Sequence, residues 1–527
     1  MKNKVDINAA KAAAECVRLR LDASDYRGFS HVADFAAEAE SGNGELICRD
    51  SIHAVSADAL RREDSPQDGK KRTAAELAKA VMNGERSACS IAEEYLSRAE
   101  ADTCNAYITV MRHTCEETAK EVDRRVAKGE YLPLAGVPLS VKDNICTAGT
   151  RTTCASKSLL DFVPSYSATV YERLISAGAI PVGKTNLDEF AVGSDGGTSY
   201  FGKCLNPLNP SLTPGGSSAG SAASLAENSA VISLGSDTGG SARIPASYCG
   251  LTALKPTYGT MSRYGLVGMA PSLEQICPMA RSVAPLRTLF EIASGRDFRD
   301  MTTLVENEKK EKHGKLGVFL PLDASPAAKA AVDAAVSALT AHGYTAQEIT
   351  LPYYDRILDI NYTISSAEAA SKLARSDGLR YGYSAVSGDV TDARSESLGV
   401  RLRERLAEGA YVLTYKNGGA YTEALSLRES IKTAFARLFS HYDMLVTPMS
   451  QTEATCFNLA ECAAERFAVY ANLTGVPAIT LPAACGEKGL PVGVQLMGNL
   501  GCDAELLSAA EKVEEEIKWK ATRDMSP

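Results

Sequence analysis

Two blocks dense in serine and glycine, and one lysine, carry the chemistry this sequence offers. TPGGSSAGSAAS (Thr213–Ser224) and SLGSDTGGSARIPASYCG (Ser233–Gly250) are flanked by apolar runs and interleaved with alanine. That context suits tightly packed turns, where backbone amides come close to something, better than flexible linkers. N–H groups that end a strand and open a helix are what a developing oxyanion needs. Lys142 stands in GVPLSVKDNI, directly after a strand-like apolar run. Burial there would lower its pKa and leave an amine that is neutral at pH 7, a base for a serine.

Two further patterns compete. GAIPVGKT (Gly178–Thr185) fits the P-loop expression, but its interior Ala-Ile-Pro-Val reads as a strand, and proline removes one cradling N–H, which argues against nucleotide binding. GSSAG (Gly216–Gly220) fits the nucleophile elbow of α/β-hydrolases, yet that motif follows a strand and here LNPLNPSLTPG precedes it. An elbow also needs a histidine. Of His31, His53, His113, His313, His342 and His441, the last three can serve in principle, so a serine–histidine site stays open beside the serine–lysine one.

These residues need elements to hold them. Short apolar runs such as AGVPLSVK, AIPVG, AVISLG, KLGVFLP, MLVTP, PAITLPA and PVGVQLMG alternate with helical stretches such as 168–177, 327–342 and 505–518. The alternation predicts an α/β architecture with a largely buried sheet. Thr73 with Glu76 and Ser90 with Glu93 read as capping boxes that open the first two helices of this unit. Ahead of it, Ile7, Ala10, Ala14, Val17 and Leu21, then Phe29, Val32, Ala36 and Ala39, recur at helical spacing and predict a helical hairpin. A polar, aperiodic tail follows from Ser41. Two short helices and a tail cannot bury a core alone, so this segment is expected to wrap over another surface.

The whole chain has 527 residues, 45% hydrophobic and 23% charged, with a formal net charge of -9. Disordered, collagen-like and coiled-coil chains are excluded, and a folded, soluble protein is expected. The acidic balance argues against a generally basic, phosphate-binding surface. The first 22 residues carry charges throughout, unlike a signal peptide, and no run approaches the 18 or so apolar residues of a membrane span. Fourteen cysteines are scattered without a C-x-x-C pair, so no metal site is expected and reduced thiols are.

GVPLSVKDNI, PGGSSAGSAAS and GSDTGGSARIPASYCG, in that order, resemble the amidase signature family, with further likeness in GKTNLDEFAVGS, LKPTYGTMSRYGLV, SLEQICPMARS and ANLTGVPAITLPA. Within it, TRTTCAS (Thr150–Ser156), SSAEAASKLARSDGLRYG (Ser365–Gly382) and GLPVGVQLMG are similar to the A subunit of the tRNA-dependent glutamine amidotransferases. The two helices and tail ending in ALRREDSP resemble the C subunit of the same complexes. The resemblance divides the chain into a clamp at 1–66, a linker at 67–72 and a glutaminase domain at 73–527. It implies a central mixed β-sheet covered by helices.

The resemblance also implies roles. Ser241 is the nucleophile, Ser217 relays the proton after a cis Gly216–Ser217 peptide, and Lys142 is the terminal base. Backbone N–H groups of Thr238, Gly239, Gly240 and Ser241 form the oxyanion hole; Ser218 and Arg243 support. Tyr362, Arg405 and Glu465 hold glutamine, with Glu465 standing where the family has aspartate. Ala219 and the GGTS stretch (Gly196–Ser199) also depart from the family pattern. The implied partner is the B subunit, which carries ATP and magnesium and receives the misacylated tRNA; this chain holds no cofactor, and the location is cytoplasmic. The alternative is a stand-alone amidase of small carboxamides. An interaction protein without catalysis has no use for the lysine and both serines.

Overall fold

Thr73 opens the first helix of the main unit through a reciprocal cap. Its Oγ1 accepts from the Glu76 N–H at 3.2 Å, and Glu76 Oε2 accepts from the Thr73 N–H at 2.7 Å, so Ala74–Met82 starts where the sequence predicts. The second box forms differently. Ser87, not Ser90, caps the helix Ala88–Glu100, its Oγ accepting from the Ser90 N–H at 3.0 Å. The carboxylate of Asp123 takes the Ala88 and Cys89 N–H groups at 2.6 and 3.1 Å, so a tertiary contact satisfies the first turn.

The computed structural model describes residues 12–15, 17–19, 72–303, 312–457 and 465–518. Of the predicted N-terminal hairpin and tail, only residues 12–15, one helical turn, and 17–19 are among them; the rest, with 67–71 of the linker, lies outside the described residues. Ala13 is buried against Ala367, Ala407, Ala410, Tyr411 and Val412.

One mixed sheet of eleven strands organises the described residues. The strands are β1 (Tyr107–Val110), β2 (Pro138–Lys142), β3 (Ile180–Thr185), β4 (Ile232–Asp237), β5 (Thr252–Lys255) and β6 (Gln275–Ala280), followed by β7 (Lys315–Val318), β8 (Thr345–Glu348), β9 (Met444–Pro448), β10 (Ala478–Cys485) and β11 (Pro491–Gly498). Their spatial order is β1-β3-β2-β4-β6-β5-β10-β11-β9-β7-β8. The seven apolar runs read from sequence are all strands. β1, β5, β6 and β8 escaped that reading: β6 is interrupted by Pro278, and the edge strand β8, TAQE, is exposed throughout, so neither has an apolar signature.

Parallel pairing of β2 with β3 and β4 positions the site. Both β2 and β4 are wholly buried, and the serines they carry bond across the pair, Ser140 Oγ donating to Ser233 Oγ at 2.8 Å. Lys142 ends β2 and Asp237 ends β4, so the lysine and the chain leading to Ser241 leave the sheet at the same edge. Helices Ile357–Lys372, Val400–Thr414, Gly419–Phe439 and Glu465–Thr474 pack on one another as a helical layer. No described helix is long and apolar enough to cross a membrane.

Candidate active site

Lys142 is fully buried, and its Nζ has four close oxygen neighbours: Ser217 Oγ at 2.7 Å, Ser218 Oγ at 2.9 Å, Ser236 Oγ at 2.9 Å and Ser236 O at 3.4 Å. Desolvation drives its pKa down to about 7 against the pull of the Asp188 and Asp237 carboxylates, so a large fraction is neutral at physiological pH. The proton positions then follow from the other partners. Ser218 O–H donates to Ser236 O at 3.0 Å, leaving Ser218 Oγ to accept from Lys142. Ser236 Oγ accepts from Asn144 Nδ2 at 3.0 Å and from Lys142. A neutral amine has two hydrogens and one lone pair; with Ser218 and Ser236 taking the hydrogens, the lone pair meets the Ser217 O–H. With the hydrogens placed in this way, the Ser217 hydroxyl is the one that faces the lone pair of the amine.

The Gly216–Ser217 peptide is cis. Gly216 itself is dictated by crowding: a Cβ there would sit 2.1 Å from Asp188 Oδ2. Asp188 is buried, and its N–H donates to Ser217 O at 3.3 Å, while Thr198 of GGTS donates to its Oδ1 at 2.9 Å. Burial first, then Asp195, raises the Asp188 pKa to about 6.

The loop 238–242 is held from beneath by Asp237. Its carboxylate accepts from Gly240 N–H at 2.9 Å, Ala242 N–H at 3.2 Å, Arg243 Nε at 2.9 Å and Asn472 Nδ2 at 3.0 Å. Burial alone would raise its pKa, but the Arg243 guanidinium outweighs that and holds the carboxyl well below the usual range. Arg243 is fully buried and also bonds Asn472 Oδ1, Gln495 Oε1 and Ala468 O, so it is part of the scaffold. Gly240 has φ +113° and lies against Ala468, where a Cβ would come within 2.6 Å. Because the Gly240 N–H is committed to Asp237, the loop's N–H groups without a hydrogen bond among the described residues are those of Thr238, Gly239 and Ser241. Ser241 is partly exposed, whereas Lys142, Ser217 and Ser218 are fully buried. No hydrogen bond among the described residues joins Ser217 Oγ to Ser241 Oγ; the backbone links them through Ser218 N–H to Ser241 O at 2.9 Å. Such contacts commonly tighten only when substrate is bound.

Tyr362, Arg405 and Glu465 come from three different helices and meet. The Tyr362 O–H donates to Glu465 Oε2, and the Arg405 guanidinium lies over the Tyr362 ring, 4.5 Å from its centroid. Arg405 Nη1 also donates to Ser366 Oγ at 3.2 Å. Glu465 precedes Ala468 and Val469 by about one helical turn, and those two pack against Gly240 and Gly239. The Tyr362 cluster is thus one turn from the loop that bears Ser241. Glu189 fastens the helix carrying Arg405: it accepts from Ser156 Oγ at 2.5 Å and from Gly399 N–H, the cap of Val400–Thr414, at 2.8 Å. Burial raises its pKa to about 7.

The competing motifs resolve structurally. GAIPVGKT contains β3, and Lys184 is taken by Ile145 O at 2.7 Å, Thr152 Oγ1 at 2.8 Å and Asp143 Oδ1 at 3.3 Å. His342 and His441 bond backbone carbonyls at the ends of their own helices, and no hydrogen bond among the described residues joins a histidine to Ser217 or Ser218. The eleven described cysteines are free thiols. Among the described residues, Asp102, Cys104 and Glu227 gather ligand-type atoms within 4.8 Å, but Asp102 already accepts from the Cys104, Ala106 and Tyr107 N–H groups, and Glu227 accepts from Ser229. Sequence reasoning assigned no role to Ser236, Asn144 or Asp237, whose signal is a polar residue in or just after a buried strand.

A family model described as Amidase matches residues 90–507. The chain is 40% identical to the Glutamyl-tRNA(Gln) amidotransferase A subunit 2 of Clostridium acetobutylicum, over 84% of this chain and 98% of that protein. It is 41% identical to the Glutamyl-tRNA(Gln) amidotransferase A subunit of Symbiobacterium thermophilum, over 86% and 98%. Among solved structures, the Glutamyl-tRNA(Gln) amidotransferase A subunit from Thermotoga maritima superposes with a TM-score of 0.68 at 32% identity, covering 84% of this chain and 94% of that one. Native peptide amidase from Stenotrophomonas maltophilia gives 0.75 at 27%, covering 86% and 99%. With the matched model spanning most of its length, the chain belongs to the amidase family.

Proposed function

We propose that this chain is the glutamine-hydrolysing subunit of a tRNA-dependent amidotransferase. Ser241 Oγ attacks the side-chain amide carbon of glutamine, its proton passing to Ser217 while the Ser217 proton passes to Lys142 Nζ. The carbonyl pair moves onto oxygen, where the N–H groups of Thr238, Gly239 and Ser241 receive it. Collapse breaks the C–N bond, the proton returns through Ser217 to the leaving nitrogen, and ammonia departs from a γ-glutamyl ester. Water, deprotonated along the same route, then releases glutamate and free Ser241. Arg405 pairs with the α-carboxylate, and Glu465 and Tyr362 hold the α-amino group. The observation that carries this reading is the fully buried Lys142 Nζ, 2.7 Å from Ser217 Oγ and 2.9 Å from both Ser218 Oγ and Ser236 Oγ.

The names borne by relatives at about 40% identity over most of the chain support glutamine and a tRNA-linked acceptor. On this reading ATP and magnesium belong to the B subunit, the ammonia travels to it, and the misacylated tRNA, Glu-tRNA(Gln) or Asp-tRNA(Asn), binds through the complex in the cytoplasm. Residues 1–66 act as the clamp that resembles the C subunit, joined by 67–72 to the glutaminase domain at 73–527. A stand-alone amidase is the second reading, favoured by the likeness to peptide amidase. Glutaminase activity of the purified chain, alone and with a cognate B subunit, ATP and misacylated tRNA, separates them. A sharp rise with the full set supports the amidotransferase; turnover of simple amides indifferent to partner and tRNA supports the amidase.

A further inference from the structure

Asn361 stands one residue before Tyr362 on the helix Ile357–Lys372 and is 4% exposed. Its Oδ1 is buried without a hydrogen-bond partner among the described residues. Buried side-chain amides are nearly always bonded, so one without a full set of partners in the free protein can take one from a bound ligand. Nδ2 lies 3.5 Å from the point a Cβ on Gly239 would occupy, beside Val469 Cγ1 at 3.4 Å. The amide therefore faces the loop from Thr238 to Ser241. That loop has lost one donor, since Gly240 N–H is bonded to Asp237. The Tyr362, Arg405 and Glu465 cluster, on the adjoining turns, would deliver a substrate's reacting end to this same place.

We propose that Asn361 is a further catalytic residue: its Nδ2–H donates to the oxygen of the scissile carboxamide, beside the N–H groups of the Gly239 loop. The inference rests on the serine-nucleophile reading given above. As the Ser241 Oγ–carbon bond forms, the carbonyl π pair becomes a lone pair on that oxygen, and the Asn361 hydrogen bond strengthens with the charge. When the C–N bond breaks and ammonia leaves, the pair returns to the carbonyl. A donor that strengthens in the transition state acts on kcat rather than on ground-state binding.

The test uses the full chain in complex with the B subunit, or alone if it is active alone. Asn361→Leu keeps the shape and removes the donor; Asn361→Ser is the second variant should the first fail to fold. Removing one such donor typically costs about 100- to 1000-fold in kcat. The expected result is a loss of that order in kcat with KM within about twofold, and a matching loss of affinity for a boronic acid analogue that forms a tetrahedral adduct on Ser241. Near-native kcat, or a change confined to KM with the boronate still bound tightly, overturns the proposal. Ser241→Ala is assayed in parallel on the same amide. If it retains turnover, the serine reading itself falls; if it is dead while Asn361→Leu is native-like, only the role of Asn361 falls.

Discussion

Arg243 grips Asp237 through two contacts, Nε to Oδ2 at 2.9 Å and Nη2 to Oδ1 at 2.8 Å, with both side chains fully buried. The same carboxylate accepts the N–H groups of Gly240 and Ala242, so this pair sets the shape of the loop that presents Ser241. Breaking a buried pair by deleting one partner strands the other charge, at about 3–5 kcal/mol. Arg243→Met is expected to lose stability of that order and nearly all activity, read from urea denaturation and amide turnover. The double variant Arg243→Met with Asp237→Leu should recover much of the stability and none of the activity.

The pH dependence follows from Lys142. Catalysis needs the neutral amine, so with a pKa of about 7 the rate should fall about tenfold per pH unit below 7 and level off above it. Stability runs in the same direction. The unfolded lysine titrates near 10.5, the native one near 7, so the unfolded chain binds more protons between those values and the native state gains stability as pH rises. Lys142→Met should be inactive, and the change in stability relative to the parent should shift steadily between pH 7 and pH 10 in the parent's favour. A flat difference across that range would mean that Lys142 is charged in the native state.

The three serines are expected to separate. Ser241→Ala should form no covalent adduct with substrate, as read by intact-protein mass spectrometry. Ser217→Ala should lose about 1000-fold or more in kcat, because the route to Lys142 is cut. Ser218→Ala removes an acceptor for Lys142 and for the Ser236 N–H but leaves the Ser217 contact, so a smaller loss, about 10- to 100-fold, is expected. A dead Ser218→Ala beside an active Ser217→Ala would reverse the two roles.

Substrate selectivity should follow the Tyr362 cluster. Arg405→Leu is expected to raise KM for glutamine by about 100-fold or more, the value of a charge-assisted contact, while turnover of a small amide lacking an α-carboxylate changes little. Glu465→Asp shortens the carboxylate by one methylene and loosens the Tyr362 contact, so it should weaken glutamine binding without abolishing it. Steady-state kinetics on the two substrates checks both.

Truncation of residues 1–70 should uncover the small-residue surface of Ala367, Ala407 and Ala410 that Ala13 covers. The serine–lysine chemistry is expected to survive, and assembly with the B subunit to weaken, measured by analytical ultracentrifugation of the mixed components. Native-affinity assembly of the truncated chain would refute the clamp role of this segment.

What the sequence determined by itself was whatever local pattern dictates. Thr73 and Glu76 are three residues apart, so their reciprocal cap is decided within one turn, and Lys142 follows a strand-like run, so its amine was legible as a base on condition that the strand is buried. Even the second cap shows the limit, since Ser87 rather than Ser90 caps that helix and Asp123, 35 residues away, takes the Ala88 N–H in place of the expected Ser90–Glu93 box. The hydrogen-bond partners of the two adjacent hydroxyls came from the tertiary structure alone. The resemblance distinguishes Ser217 from Ser218, but that Ser236 O, at the end of another strand, takes the Ser218 hydroxyl is seen only in the packed structure. It also withdrew Gly240 from the open donors through Asp237, and joined Tyr362 to Glu465 across 103 residues. Asn361 left no trace in the sequence, because a single polar residue in a helix means nothing until the loop it faces is known. Hydrogen bonds are short-ranged and directional, so which groups pair is a property of packed elements, whereas burial and capping are properties of runs of residues.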